Sequence, residues 1–188
     1  EYESALVCSA ELTYDYLSYD ILNVRDLRTK SAGLTVGNAA ACVLLRRTPW
    51  PYGGIAIWGI ESHAAPSHWQ LCQTPIGGTF SSSSVELMRL GQLIPPVTKR
   101  NLDKLGLAPD DIDHYVFHQP SEIMVRKILE DIGAQPEKGV YTHHLYGNTA
   151  SASVAVTYRQ LLLERDVRPG DKLVLGSAAA GFSTVMLT

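Results

Sequence analysis

Cysteine is scarce in this chain of 188 residues: Cys8, Cys42 and Cys72 make an odd number, with no C-x-x-C spacing among them. That pattern predicts neither a disulfide framework nor a zinc site, and implies reduced, mostly buried thiols. A basic excess is missing too. The 16 Lys and Arg against 19 Asp and Glu leave a formal net charge of −3, which excludes the electrostatic footprint of a nucleic-acid binder and argues against anionic membranes. Apolar runs are broken within about ten residues, short of the roughly 20 that cross a bilayer, and no charged-then-apolar leader stands in front of them. The expected compartment is the cytoplasm. The sequence has no G-x-S-x-G elbow, P-loop or G-x-G-x-x-G, so motif-based hydrolase, NTPase and dinucleotide-binding readings fall away. His143 and His144 are neighbours that would face opposite ways in an extended segment, without enough further ligands to hold a metal.

What is present fits a soluble globular protein of one domain or a little more, with 45% hydrophobic and 19% charged residues. The opening "EYESALVCSAEL" has no initiator methionine and enters an apolar strand candidate almost at once, as if taken from something longer. Residues 4–9 and 35–45 read as short interior strands. The polar and aromatic stretch between them reads as loop with a short helix. After "TPWPYGG" a strand is expected over 55–62, then an irregular region over 63–84. Residues 85–105 have helical spacing that Pro95 and Pro96 must divide, because proline removes a donor and clashes with the preceding turn. Further on, "HYVFH" predicts a strand over 114–118, and 121–132 a helix with apolar Ile123, Ile128 and Ile132. A strand is expected at Val140 and Tyr141, a helix over 148–164, and two last strands in "LVLGSA" and "STVMLT". The alternation implies an α/β sheet with helices on its faces.

Three short stretches carry chemistry. In "FHQPS" a strand ends on His118, Pro120 turns the chain out of the ladder and Ser121 is placed to cap the next helix. That delivers an imidazole to the strand-end edge where α/β sheets bind ligands, although strand ends often carry polar groups for no further reason. In "YGNTASAS" Asn148 stands where a helix is expected to begin, followed by residues without bulk; an ordinary Asn cap gives the same letters. "GSAAAGFS" lies between the last two strands, where small residues let backbone N–H groups approach a bound carbonyl, or simply close a tight hairpin. "TPIGGTFSSSSVE" reads as a loop tip ending in a serine cap, with an anion cradle as the rarer alternative.

In this order and at these distances, "FHQPS", "YGNTASAS" and "VLGSAAAGFS" resemble the C-terminal half of the β-ketoacyl-acyl-carrier-protein synthase III group of the thiolase superfamily. "ALVCSAEL" and "TVGNAAACVLL" resemble the closing strands of that family's first half. The resemblance implies a thiolase-like layered α/β fold, with residues 1–48 closing the N-terminal half and residues 49–188 forming the C-terminal one. It implies a ketosynthase in which His118 and Asn148 donate hydrogen bonds to a thioester oxygen as it gains negative charge. Ser121, Ala178, Ala180 and Phe182 are placed around the substrate, with the Ala180 N–H in a second oxyanion hole. The implied substrates are acyl-carrier-protein or coenzyme A thioesters, with no cofactor. The "TPIGGTFSSSSVE" loop is placed at the substrate entrance.

Departures from the family pattern matter as much. The family's nucleophilic cysteine lies upstream of the strand resembled by "ALVCSAEL". Cys8 and Cys42 fall in strand candidates, and Cys72, near His68, lacks the helix start that activates a thiol. The resemblance therefore implies an N-terminal portion carrying the cysteine on a separate chain or fragment, with dimers of such pairs. Ile123 stands where members that use coenzyme A often carry arginine. Ala178 replaces a bulky phenylalanine, which leaves a roomier site and keeps open transfer to an oxygen or nitrogen nucleophile, or condensation without decarboxylation. A structural subunit without its own catalysis is the remaining alternative.

Overall fold

A computed structural model of the chain describes residues 2–47 and 54–188. In chain order the strands and α-helices are β1 (Ser4–Glu11), α1 (Val24–Lys30), β2 (Ala39–Arg46), β3 (Ile60–His68), β4 (Cys72–Gln73), β5 (Ser81–Ser82), α2 (Ser84–Leu90), α3 (Ile94–Lys104), β6 (His114–Phe117), α4 (Glu122–Ile132), α5 (His143–Tyr146), α6 (Ser153–Glu164), β7 (Leu173–Ala179) and β8 (Gly181–Leu187).

The central sheet has the order β3-β8-β7-β6. Its β6 and β7 run parallel across a crossover that contains α4, α5 and α6, while β7–β8 and β8–β3 are antiparallel. Side chains alternate between its faces because successive strand residues point opposite ways. Tyr115, Phe117 and Val174 join Val125, Ile128, Leu129 and Ile132 of α4 and Val97 and Leu102 of α3 in one core. Val116, Leu173 and Leu175 pack on the other side with Val140 and Leu161. Helices therefore cover both faces, as the α/β reading predicts.

Several expectations need correction. The helix over 85–105 is divided as predicted, with a single 3₁₀ turn at Gly91–Leu93 and Pro95–Pro96 in the first turn of α3, where a missing N–H costs nothing. The strand expected over 55–62 is displaced: β3 starts at Ile60 and runs through the supposed irregular region to His68. Pro66 falls where its register shifts between Ala64 and His68, a break that proline tolerates on an edge strand. Val140 and Tyr141 form no strand; an isolated bridge pairs Tyr115 with Gly139, and Val140 donates to the Tyr115 carbonyl at 3.0 Å. Ile123 is not on the buried stripe of α4 but 76% exposed, because the buried positions follow Val125, Ile128, Leu129 and Ile132 at helical spacing.

β1 and β2 form a separate antiparallel ribbon. Its residues were expected in the interior, yet Leu6, Val7, Val43, Leu44 and Leu45 are all exposed, and the Leu6–Leu44 and Val7–Val43 pairs occupy opposite faces. Cys8 and Cys42 are opposite each other with Cα atoms 4.1 Å apart and form a disulfide. This overturns the expectation of reduced thiols: cross-strand register joins two cysteines that sequence spacing does not connect. The expected boundary at residues 48–49 lies outside the described residues. Among the described residues no helix is long and apolar enough to cross a membrane.

Candidate functional site

His118 follows the last residue of β6, where its N–H still donates to the Gly176 carbonyl at 2.7 Å. The neighbouring strand β7 thus fixes its backbone. Beyond it, Ser121 accepts from Met124 N at 3.2 Å and caps α4, so its hydroxyl serves the helix. His118 keeps some solvent exposure, but the protein packed around its imidazole pushes its pKa down to about 4. Desolvation is the main cause; the Ala150 backbone works the other way, and the nearby His143 imidazole adds to the drop. At neutral pH the ring is uncharged, with one N–H to donate and one nitrogen to accept.

Asn148 does not begin a helix. It lies in the turn between α5 and a 3₁₀ turn at Ala150–Ala152, five residues ahead of α6. Its Oδ1 accepts from the Ala150 N–H at 3.0 Å. The side-chain oxygen is thereby committed to the backbone, and the Nδ2 donor has no acceptor among the described residues. Its backbone is held by the segment ahead of β2: Asn148 N donates to Thr35 O at 2.8 Å and Gly37 N to Asn148 O at 2.9 Å. The approach is too close for side chains. A Cβ on Gly37 would lie 1.9 Å from the Tyr146 carbonyl oxygen, and Gly147 sits at φ 67° with Thr35 O 2.4 Å from its ideal Cβ position. The end of β1 reaches the same turn, where Ser151 N donates to a Glu11 carboxylate oxygen at 3.0 Å and the Ser151 hydroxyl bonds the same oxygen.

The two predicted donors share a neighbour: the Ala150 backbone raises the His118 pKa against the effect of burial, and its N–H donates to the Asn148 carboxamide oxygen. Ala178 lies with His118, Pro120 and Ser177 around a cavity of about 20 Å³. That space admits roughly one water molecule. Ala180 is the exposed single residue between β7 and β8, and Phe182, only 4% exposed, belongs to the main core. His143 and His144 lie in the first turn of α5 rather than an extended segment. His143 Nδ1 is 3.1 Å from the Gln119 carbonyl, and His144 is exposed. Ser83 precedes α2 without a side-chain cap bond.

The three cysteines offer no activated thiol. Cys8 and Cys42 are joined, and burial pushes the Cys72 thiol up, away from the thiolate form. Among the described residues, no group of three or more His, Cys, Asp or Glu side chains could hold a metal ion.

Sequence reasoning missed Gln119 and the residues that clamp Asn148. Gln119 is fully buried, but a polar residue beside a strand-end histidine gives no sequence signal of burial. "TVG" reads as strand, and only the fold turns it into a brace.

Comparisons with known proteins bear on the family and the fold. Residues 102–188 match the family model described as 3-oxoacyl-[acyl-carrier-protein (ACP)] synthase III C terminal. A 2-heptyl-4(1H)-quinolone synthase subunit, PqsC of Pseudomonas aeruginosa, is 36% identical over 127 residues, covering 63% of this chain and 36% of that protein. The β-ketoacyl-[acyl-carrier-protein] synthase III of Symbiobacterium thermophilum is 29% identical over 196 residues, covering 96% of this chain and 56% of its own. Among solved structures, 3-oxoacyl-[acyl-carrier-protein] synthase III of Aquifex aeolicus superposes with a TM-score of 0.85 at 20% identity, over 98% of this chain and 57% of that one. OleA of Xanthomonas campestris, solved with bound lauric acid and lauroyl-CoA, gives 0.84 at 22% identity, over 98% and 57%. The chain spans little more than half the length of the synthase III relatives it matches. Residues 102–188 thus match the C-terminal part of the synthase III family, and the chain shares the fold of the solved synthase III and OleA structures.

Proposed function

We propose that this chain supplies the oxyanion donors of a synthase III-type ketosynthase, which condenses a thioester-bound acyl group with a carbon nucleophile. The observation that carries the reading is the His118–Ala150–Asn148 arrangement. One side chain is an imidazole kept neutral by burial, and the other is a carboxamide whose oxygen is tied back so that its N–H₂ is left to donate. An enolate or tetrahedral oxyanion needs donors held in place before charge develops, and each such donor is commonly worth about 10²–10³ in rate.

The acyl group itself needs a nucleophile. None of Cys8, Cys42 and Cys72 is suited to it, so the reading places the acyl-accepting cysteine on an N-terminal thiolase-like portion outside these 188 residues. Acyl-carrier-protein or coenzyme A thioesters are the substrates, and pairs of such portions assemble into dimers. The β1–β2 ribbon supports a partner, since apolar side chains exposed on both faces form the kind of surface that interaction covers. Intact-mass spectrometry of the native purified protein tests this. The expected result is a companion polypeptide or longer chain carrying an acylatable cysteine; a monodisperse, stable 188-residue monomer without one contradicts it.

A further inference from the structure

Gln119 lies between the candidate donor His118 and Pro120, with no exposed surface. Its carboxamide makes three hydrogen bonds, using both donors and one oxygen lone pair. Nε2 donates to the Phe117 carbonyl and to the Val140 carbonyl, both at 2.9 Å, and Oε1 accepts from Thr142 N at 3.1 Å. Its backbone is equally committed: the N–H donates to Ser153 Oγ at 2.9 Å, and the carbonyl is 3.1 Å from His143 Nδ1. Two N–H donors and one acceptor are required at this spot, which glutamine provides, while glutamate lacks the donors and leucine has neither.

The partners explain the requirement. Phe117 ends β6, so that bond anchors Gln119 to the strand that delivers His118. Thr142 and His143 open the span that contains Asn148, and Ser153 closes it as the first residue of α6. Inside that span the order is passed on by Leu145 N and Tyr146 N to Thr142 O, both at 3.0 Å, and by Gly147 N to His143 O at 2.8 Å. Thr142 is braced further by a 2.8 Å bond to the hydroxyl of Thr157, one turn into α6. Gln119 therefore bonds both ends of the segment holding one donor while standing next in chain to the other.

We propose that Gln119 is a positioning residue that sets the separation and orientation of His118 and Asn148, through a buried clamp joining the end of β6, the 140–143 segment and the start of α6. The proposal rests on the reading of His118 and Asn148 as the donor pair, but its test does not. A ring displaced from its packing admits water, and loss of desolvation raises the pKa of a buried imidazole. Among the described residues the titratable group within electrostatic reach of His118 is His143, whose own position depends on the Gln119 carbonyl.

The experiment is NMR titration of His118 in the full chain carrying Gln119→Leu, which keeps the volume and removes three bonds, or Ser153→Ala, which removes only the bond to the Gln119 N–H. Ile132→Val, one buried methylene lost at the far end of α4, is the control for stability alone. The expected result is a rise of the His118 midpoint from about 4 by roughly one pH unit in Gln119→Leu and by less in Ser153→Ala, with no change in Ile132→Val. In the complete enzyme, a misplacement of about 1 Å would lower kcat by about 10²-fold with KM little changed. Lower melting temperatures with the His118 midpoint unmoved would overturn the proposal, leaving Gln119 a purely structural residue. If Gln119→Leu does not fold, Ser153→Ala decides. A shifted midpoint together with condensation that survives His118→Ala would sustain the clamp and remove the catalytic reading instead.

Discussion

Individual residues matter here through what their atoms can no longer do. Asn148 has given its oxygen to the Ala150 N–H, and burial keeps the His118 ring uncharged at neutral pH. The sign of the pH dependence follows. Folding depresses the His118 pKa from the ordinary 6.5 to about 4, so the folded chain binds fewer protons than the unfolded chain between those values. The contribution to stability is therefore full above pH 6.5, declines as pH falls toward 4, and changes no further below that. Thermal melts of the wild type and of His118→Gln should show a wild-type stability that falls more steeply across this window, and parallel curves would place the imidazole in water.

At the scale of elements, the site is a meeting of ends: β6 ends at Phe117, α4 begins after Ser121, and α6 begins at Ser153. Ser121→Ala should remove the α4 cap and cost about 1 kcal/mol of stability by denaturant titration, leaving the His118 titration unmoved because the lost bond faces the helix. Gly37→Ala should do more. Its Cβ would collide with the Tyr146 backbone, so the strand-like brace on Asn148 must open. The expected outcome is a loss of about 1–3 kcal/mol together with changed Asn148 side-chain amide resonances, and an unchanged spectrum would mean that the brace does not position the carboxamide. Elements with a clear local pattern were legible in the sequence: β6, α4 with its serine cap, and the proline-marked start of α3. Those set by distant partners were not. β3 was displaced, and just ahead of it Trp58 N and Gly59 N donate to Thr188 O at 2.7 and 3.1 Å while Thr188 N donates to Gly59 O at 3.0 Å. The brace at Thr35–Gly37 depends on a loop more than 100 positions away.

For the molecule as a whole, the contrast lies between a covered sheet and an uncovered ribbon. The β3-β8-β7-β6 sheet has helices on both faces, whereas β1–β2 shows apolar side chains on both of its own. Sequence pattern marked the ribbon residues as interior because they are apolar; it could not say what would bury them. The same limit applies to Cys8 and Cys42, whose pairing needs the register of two strands. The motif trio, by contrast, was readable because its letters record local demands: a strand-end imidazole, small residues around a tight turn, and a hairpin without bulk. The central claim is that His118 serves carbon–carbon bond formation and not acyl loading. The most direct test follows both steps by mass spectrometry in the complete enzyme, wild type against His118→Ala. The account predicts that acylation of the cysteine persists while condensed product falls by about 10²–10³-fold; equal loss of both steps, or of neither, would contradict it.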